Sequence, residues 1–194
     1  MIYPIVAFGD PVLRKVTVDI DKSVDVKKLS EDMFETMYNA KGVGLAAPQV
    51  GLNLRIFVVD GRPFNEGEDM EERDKDPSLI DFKQVFINAE ILDEKGKEWA
   101  FEEGCLSIPD IREDIYRPEF VRINFFDENW VEYTKTYEGL AARIIQHEYD
   151  HIDGILFTDH LNPVKKRMLK NKISEMKRMM CTIEIGNAVI YMDK

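Results

Sequence analysis

The segment His147-Glu148-Tyr149-Asp150-His151 carries residues that can build a hydrolytic metal site. Two histidines four positions apart face the same way on a helix, so both imidazoles can bind one metal ion. Glu148 stands beside the first histidine and can take a proton from a water molecule on that metal. Two of the three histidines in the chain fall in this segment. The pattern therefore indicates metal-dependent hydrolysis, although HExxH by itself is only moderately specific.

The identity of the third protein ligand separates the enzyme classes that share this motif. In one class a third histidine follows at the position that Phe157 occupies here, so that route fails. In another class a downstream glutamate completes the site, and Glu175 lies at a suitable distance along the chain. Upstream, Cys105 follows a glycine at the end of a predicted strand and offers a thiolate. A site of Cys105 and the two histidines leaves a fourth position open for water, which is typical of catalytic zinc sites.

Helices and strands that could position these residues are predicted from the spacing of apolar side chains. Apolar residues three and four positions apart predict a helix over 24–40, capped by Ser23 or Asp25, and a second over Glu138–Ile152. A proline in the first turn predicts a third helix over 162–180. β-Branched and aromatic runs predict strands at Arg55–Asp60, Gln84–Asn88 and Trp99–Glu102, and a hairpin of Val121–Phe125 with Trp130–Thr136.

The order of these elements predicts an α+β fold, because strands and helices do not alternate as in a parallel α/β protein. We expect a single metallohydrolase domain over residues 1–194, with antiparallel or mixed sheets around a central helix that carries HExxH. A C-terminal helix over 162–180 completes this domain. The acidic stretch 65–77 predicts a solvated loop at the rim of the domain. The tail 181–194 predicts an extra strand or hairpin.

Composition narrows the class of protein further. The chain has 194 residues, 44% of them apolar, and a net charge of −11, which argues against a general nucleic-acid binder. Its apolar runs fit neither a membrane span nor a signal peptide, and two cysteines do not make a disulfide framework. We therefore expect a cytoplasmic protein with reduced thiols, which takes no nucleic acid as substrate and does not enter a membrane.

Three segments together resemble the signature motifs of the peptide deformylase family. They are Gly42-Val43-Gly44-Leu45-Ala46-Ala47-Pro48-Gln49, Glu103-Gly104-Cys105-Leu106-Ser107 and His147-Glu148-Tyr149-Asp150-His151, in the order that the family has. Flanking resemblance from Asp10-Pro11-Val12-Leu13 to the C-terminal helix covers most of the chain. This resemblance implies a hydrolase that removes the formyl group from the N-terminal formyl-methionine of newly synthesised proteins.

The resemblance also implies a metal and a general acid/base. By this likeness Cys105, His147 and His151 bind one divalent ion, which is Fe²⁺ in native members of the family, with Zn²⁺, Ni²⁺ or Co²⁺ as substitutes. Metal-bound water then attacks the formyl carbon, and Glu148 takes the proton of that water and returns it to the departing amine.

Further groups are implied for the transition state and for the substrate. In the family, the developing oxyanion is stabilised by the glutamine of the first motif and by the amide after the cysteine, which are Gln49 and the Leu106 N–H in this chain. Gln49 could instead satisfy only a loop backbone. Residues implied to contact the substrate, to line a methionine pocket or to hold the site are Val43, Gly44, Glu103, Gly104, Leu140 and Ile144, with Arg112 or Arg117 as the partner of Glu103. Core packing is the alternative role for Leu140 and Ile144.

Two other functions stay open at this point. An HExxH metallopeptidase would use Glu175 as its third ligand. A non-enzymatic, metal-stabilised binding module would dock through the basic C-terminal helix. The resemblance favours a monomer that acts on formyl-methionyl nascent polypeptides, with the ribosome as a further partner of that helix.

Overall fold

A five-stranded antiparallel sheet forms the centre of the computed structural model, which describes residues 1–65 and 76–184, with side chains up to residue 173. The strands follow one another across the sheet in chain order: β1 (Gly44–Ala46), β2 (Ile56–Asp60), β3 (Lys83–Cys105), β4 (Ile108–Phe126) and β5 (Glu132–Glu138). The helices are α1 (Val26–Asn39), α2 (Gly139–Ile152) and α3 (Pro163–Glu184). Short 3₁₀ helices lie at Pro11–Arg14, Ala47–Val50, Arg62–Asn65, Pro77–Leu79 and Phe157–His160.

The chain divides into two compact units, Met1–Phe157 and Thr158–Lys194. The first contains the sheet with α1 and α2, and the second contains α3. The predicted α+β class is confirmed, with the sheet antiparallel throughout. A single domain over 1–194 stays a prediction. Within the described ranges, no helix combines the length and the apolar character needed to cross a membrane.

Two hydrophobic clusters lie on the two faces of the sheet, and β2 contributes to both. Phe57 and Val59 point into the cluster with α2, whereas Ile56 and Val58 point into the cluster with α1. Successive strand residues face opposite sides, so a strand covered on both faces has a continuous apolar run rather than an alternating one. This packing accounts for the sequence of β2 and holds α2 against the sheet.

The predicted strands Gln84–Asn88 and Trp99–Glu102 are parts of one long strand, β3. The residues between them pair with β4 through several register shifts, and 94–98 are exposed. A strand segment whose side chains are exposed on both faces of the sheet needs no alternation of apolar and polar residues, because backbone hydrogen bonds keep it extended. The apolar pattern therefore predicted two separate strands where pairing with β4 forms one.

The other predicted elements agree closely with the structure, except at the C-terminal end. Asp25 caps α1 by accepting a hydrogen bond from the Lys28 amide, and the hairpin of β4 and β5 is confirmed. α3 continues to Glu184, so the strand or hairpin predicted for the tail 181–194 is wrong for residues 181–184. The rest of the tail, 185–194, and 66–75 of the acidic stretch lie outside the described residues.

One arginine fixes the C-terminal end of α2 to the sheet. Arg55 donates from Nε to the Ala89 carbonyl (2.9 Å) and from Nη1 to the Asp153 carboxylate (2.8 Å). Its Nη2 donates to the Tyr149 hydroxyl (2.9 Å). Because guanidinium donors lie in one rigid plane, these contacts set the position of the helix end relative to β2 and β3.

Gly154, which follows α2, is expected to be intolerant of a side chain. Its φ is +73°, and an added Cβ would lie 2.8 Å from the Arg14 backbone. Gly51 is the matched control, because its φ is +81° but its nearest Cβ contact is 3.9 Å from Val6. We expect Gly51→Ala to lower the free energy of unfolding by about 1–2 kcal/mol, the cost of the left-handed backbone. Gly154→Ala should cost about 1–3 kcal/mol more, for the clash. Urea unfolding of both variants measures the difference, and equal losses would contradict the assigned contact.

Candidate active site

Helix α2 carries His147 and Glu148, which line a cleft, and His151, which lies one turn further along the helix. His147 and His151 are 9% and 1% exposed, and their rings lie edge to face with centroids 5.2 Å apart. The helix is buried against the sheet on either side of the histidines, through Ile144, Ile145 and Ile152. The helical spacing predicted from the sequence therefore puts both imidazoles on one buried face.

Cys105 is the last residue of β3 and lies beside the two histidines. Its Sγ lies 3.3 Å from the Nε2 of His151, and the ligand atoms of Cys105, His147 and His151 all lie within 4.8 Å of one another. Metal–sulfur and metal–nitrogen bonds of 2.3 and 2.1 Å at a tetrahedral centre separate two such ligands by about 3.6 Å. One thiolate and two imidazoles are also a donor set that suits Zn²⁺, Fe²⁺, Co²⁺ or Ni²⁺. The three residues thus fit one metal ion.

The charges around Cys105 favour the form that binds metal. Burial alone would raise the pKa of the Cys105 thiol, but the positive charge of His151 and hydrogen bonds with both histidines outweigh burial. The resulting pKa is about 5. A thiol with this pKa is a thiolate at neutral pH, and the thiolate is the ligand.

Glu103, which belongs to the second motif, is hydrogen-bonded to His147. Its Oε2 accepts a hydrogen bond from the His147 Nδ1 (2.8 Å), which leaves the other ring nitrogen free for a ligand role. Arg117 donates to both carboxylate oxygens (2.8 and 3.1 Å), and Arg143 Nη1 donates to Oε1 (3.0 Å). Burial opposes ionisation, but the bonds from His147 and Arg117 hold the pKa of Glu103 well below its usual range. Glu103 is therefore ionised and orients His147.

Glu148 lies beside the histidines and is 4% exposed. Burial raises the pKa of its carboxyl to about 7, against the opposing positive charges of His147 and His151. Its Oε2 has no hydrogen-bond partner among the described residues. A Cβ on Gly44 would lie 2.3 Å from Glu148 Oε1. Glycine at position 44 therefore makes the space that this carboxylate occupies.

Gln49 is oriented by one end of its side chain and faces the site with the other. Its Oε1 accepts a hydrogen bond from the Ala46 amide (2.8 Å), and its Nε2 donates to Cys105 Sγ (3.5 Å). The side chain therefore satisfies a loop backbone and also aims a donor at the thiolate, while its role towards an oxyanion stays a prediction. Leu106 follows Cys105 in the turn between β3 and β4 and lines the same cleft.

The cleft is a cavity of about 740 Å³. The implied substrate contacts Val43, Gly44, Gly104 and Ile144 all line it. Leu140 is not among the residues that line it and packs on the hydrophobic cluster between α2 and the sheet, which is the alternative role given for it above. Leu140 precedes Ile144 by one turn and lies on the same face of α2. Helical spacing alone therefore does not show which of the two lines the cavity.

Of the two arginines considered as the partner of Glu103, Arg117 makes the contact and Arg112 does not. Arg112 lies at the rim of the cavity, 69% exposed, with Nη1 3.9 Å from the exposed Glu102. In the β3–β4 ladder Arg112 pairs with Gly104, whereas Arg117 pairs with Trp99. Alternation along β3 puts residue 99 on the face of Glu103 and residue 104 on the other face. The register thus selects Arg117.

Phe64, Phe101 and Arg143 are among the cavity residues that were not predicted as site residues. Phe101 precedes Glu103 by two residues, so strand alternation could have found it. Arg143 precedes His147 by one turn of α2. Its guanidinium is bound by Glu103 and by the carbonyls of Ile115 and Trp99. No local signal marked Phe64.

A sequence model of the polypeptide deformylase family matches residues 2–167. The chain belongs to the polypeptide deformylase family. It is therefore an enzyme, which sets aside the binding module considered above, and its family is not that of the HExxH peptidases. The side chain of Glu175, the ligand that a peptidase would need, lies outside the described residues.

Individual deformylases cover nearly the whole chain. The peptide deformylase of Christiangramia forsetii is 54% identical over 187 residues, which are 95% of this chain and 94% of that protein. A crystal structure of the Thermus thermophilus deformylase covers 92% of this chain and 97% of its own, with 38% identity and a TM-score of 0.78. A crystal structure of the Acinetobacter baumannii deformylase with Met-Ala-Ser bound covers 83% of this chain and 99% of its own. The two chains are 29% identical, and the TM-score is 0.71.

Cys105→Ser tests the deformylase ligand set. A serine hydroxyl does not ionise near neutral pH, so we expect the variant to lose its metal on dialysis and the wild type to retain about one ion per chain. Elemental analysis of the dialysed proteins measures this. Cys181→Ser, which changes the chain's other cysteine, should keep its metal. Full retention by Cys105→Ser would contradict the assignment and return Glu175 as the ligand.

Glu148→Gln tests the raised pKa in the metal-free protein. The ordinary pKa of 4.5 is raised to about 7 in the folded chain, so between these values the folded state holds a proton that the unfolded state has lost. Stability must therefore fall as the pH rises from 4.5 to 7. The glutamine variant lacks this loss, and its stability relative to wild type should increase by about 3 kcal/mol between pH 4 and pH 8. Urea unfolding at both pH values measures the change, and a pH-independent difference would refute it.

Proposed function

We propose that this chain removes the formyl group from the N-terminal formyl-methionine of newly synthesised proteins. The observation that carries the proposal is the meeting of the three deformylase motifs in one cavity. Cys105, His147, Glu148 and Gln49 line this cavity, and His151 offers a ligand atom within 4.8 Å of those of Cys105 and His147. Membership of the deformylase family supports the same reaction.

The metal of this site is proposed to be Fe²⁺, with Zn²⁺, Ni²⁺ or Co²⁺ as substitutes. Cys105, His147 and His151 would hold it. When bound, such an ion lowers the pKa of a water ligand towards neutrality and so supplies a nucleophile at pH 7. An ion with a thiolate ligand is exposed to oxidation, as is the cysteine itself, so the iron form should be prepared without oxygen.

Glu148 carries the proton during the reaction. Its carboxylate takes a proton from the attacking water and gives it to the amine that leaves from the formyl carbon. In the metal-free protein, burial raises the pKa of this carboxyl to about 7, which favours a group that exchanges a proton near neutral pH. The glycine at position 44 keeps the carboxylate in contact with the cavity.

Two donors are assigned to the oxygen of the attacked formyl group. As that carbon becomes tetrahedral, its oxygen gains negative charge, and donors already aimed at it lower the barrier. The Gln49 carboxamide oxygen accepts a hydrogen bond from the Ala46 amide. This bond orients the side chain so that Nε2 faces Cys105 in the cavity. The Leu106 N–H is proposed as the second donor.

The substrate is a nascent polypeptide whose first residue is held in the cavity. Val43, Gly44 and Gly104 are proposed to contact its backbone, since they line the cavity near Cys105. Val43 and Ile144 would contact the methionine side chain, with Arg112 at the rim beside the following residues. We place this activity in the cytoplasm, in a monomer. The basic helix α3 is the proposed contact with the ribosome.

Formate release tests the proposed function directly. Protein purified without oxygen and carrying one metal per chain is given formyl-Met-Ala-Ser and, separately, acetyl-Met-Ala-Ser. We expect formate from the first peptide and no acetate from the second. Glu148→Gln is the matched control, with a similar shape and no base, and should lose roughly 10²–10⁴-fold in kcat while it keeps its metal. Absence of formate from the metal-loaded wild type would refute the proposal.

A further inference from the structure

A short segment near the N-terminus is hydrogen-bonded to two loops of the active site. The Val6 N–H donates to the Gln49 carbonyl (2.9 Å), and the Phe8 N–H donates to the Ser107 carbonyl (2.8 Å). Gln49 belongs to the first motif, and Ser107 belongs to the second. We call residues 6–8 the strap, because their backbone joins the two motifs.

The sheet does not make this connection near the site. β1, which leads into the 3₁₀ helix of Gln49, pairs with β2. β2 pairs with β3 at Lys83–Ile87 only, at the opposite end of that strand from Cys105. The strap lies between the two loops, and its two amide nitrogens are at most about 7 Å apart, which is the reach of two extended residues. The strap therefore limits how far the two loops can separate.

The chain on either side of the strap is attached to a helix. Before it, the Tyr3 N–H donates to the Thr36 hydroxyl in α1 (2.9 Å). After it, the N–H and the hydroxyl of Thr17 both donate to the Ile152 carbonyl at the end of α2 (2.9 Å each). Because both flanks are attached in this way, the strap does not simply follow the movement of one loop.

The two acceptors of the strap lie next to the two donors assigned to the oxyanion. One acceptor is the carbonyl of Gln49 itself, whose Nε2 is the first donor. The other is the carbonyl of Ser107, which follows Leu106 in the two-residue turn between Cys105 and Ile108. The Leu106 N–H is the second donor. Each hydrogen bond of the strap thus holds the backbone that carries one donor.

We propose that the strap sets the distance between the two oxyanion donors, with Val6 and Phe8 as positioning residues. This inference rests on the proposed deformylase function and deepens it. Two donors stabilise one oxyanion only when both lie within hydrogen-bond distance of the same oxygen. Because that charge develops only in the transition state, loss of a strap hydrogen bond lowers kcat and leaves KM nearly unchanged.

Replacing single backbone amides by esters tests the strap. Incorporation of the α-hydroxy acid analogue of Val6 or of Phe8 during translation keeps the side chain and removes only the N–H donor. Formate release from formyl-Met-Ala-Ser is measured, and kcat is expressed per bound metal ion. We expect each strap ester to lower kcat by roughly 5- to 50-fold and to change KM by less than about 2-fold.

An ester at Tyr3 is the matched control. It removes a hydrogen bond of 2.9 Å from the same part of the chain, but this bond goes to α1 and not to a loop of the site. Its kcat should equal that of the wild type, and urea unfolding shows whether it is destabilised as much as the strap esters. An equal loss of kcat in the Tyr3 ester would overturn the inference, since it would reveal a general effect of loosening the segment.

The Gln49→Ala variant separates positioning from a purely structural effect. In this variant the Val6 ester should have almost no further effect on kcat, because the side chain through which it acts is gone. The Phe8 ester should still lower kcat by its usual factor, because it acts through the Leu106 N–H. Unchanged kcat in either strap ester of the otherwise wild-type chain, or a full effect of the Val6 ester in Gln49→Ala, would contradict the inference. Failure of the wild type to release formate would refute the proposed function instead.

Discussion

The Glu103 carboxylate is the interaction on which the arrangement of the site depends. It joins three elements: its own strand β3, strand β4 through Arg117, and helix α2 through His147 and Arg143. Cys105 lies two residues further along β3, so the same carboxylate that orients an imidazole also fixes the helix relative to the cysteine. Buried charges cost free energy when any of them is unpaired. Here the carboxylate oxygens accept four hydrogen bonds from the three side chains, and Arg117 also binds Asp150.

His147 and Gln49 are oriented in the same way, by a hydrogen bond to one polar atom of the side chain. His147 commits one ring nitrogen to Glu103 and keeps the other for the metal site. Gln49 commits its oxygen to the Ala46 amide and keeps its amide nitrogen for the cavity. In each case one polar atom is used to fix the side chain and the remaining atom is left to act. Orientation of this kind lowers the cost of organising the transition state, because the dipoles are already in position.

Glu148 differs from these groups, because its Oε2 has no hydrogen-bond partner among the described residues and its place depends on the space beside Gly44. The absence of a side chain at Gly44 gives its carboxylate a place, and burial raises its pKa to about 7. A carboxylate bonded as Glu103 is would be too weak a base for a proton at neutral pH. The pKa values of two glutamates in one site therefore shift in opposite directions, because their surroundings differ.

Local sequence patterns determined helices α1 and α2, the β4–β5 hairpin, the buried run of β2 and the placement of two histidines on one helix face. They did so because each depends on spacing within a few residues. Tertiary structure alone decided the partner of Glu103, since Arg112 and Arg117 differ only through the β3–β4 register. It also decided that Ile144 and not Leu140 lines the cavity, and that Phe64 lies beside Phe101. Those contacts join residues far apart in the chain, and no local periodicity carries information about them.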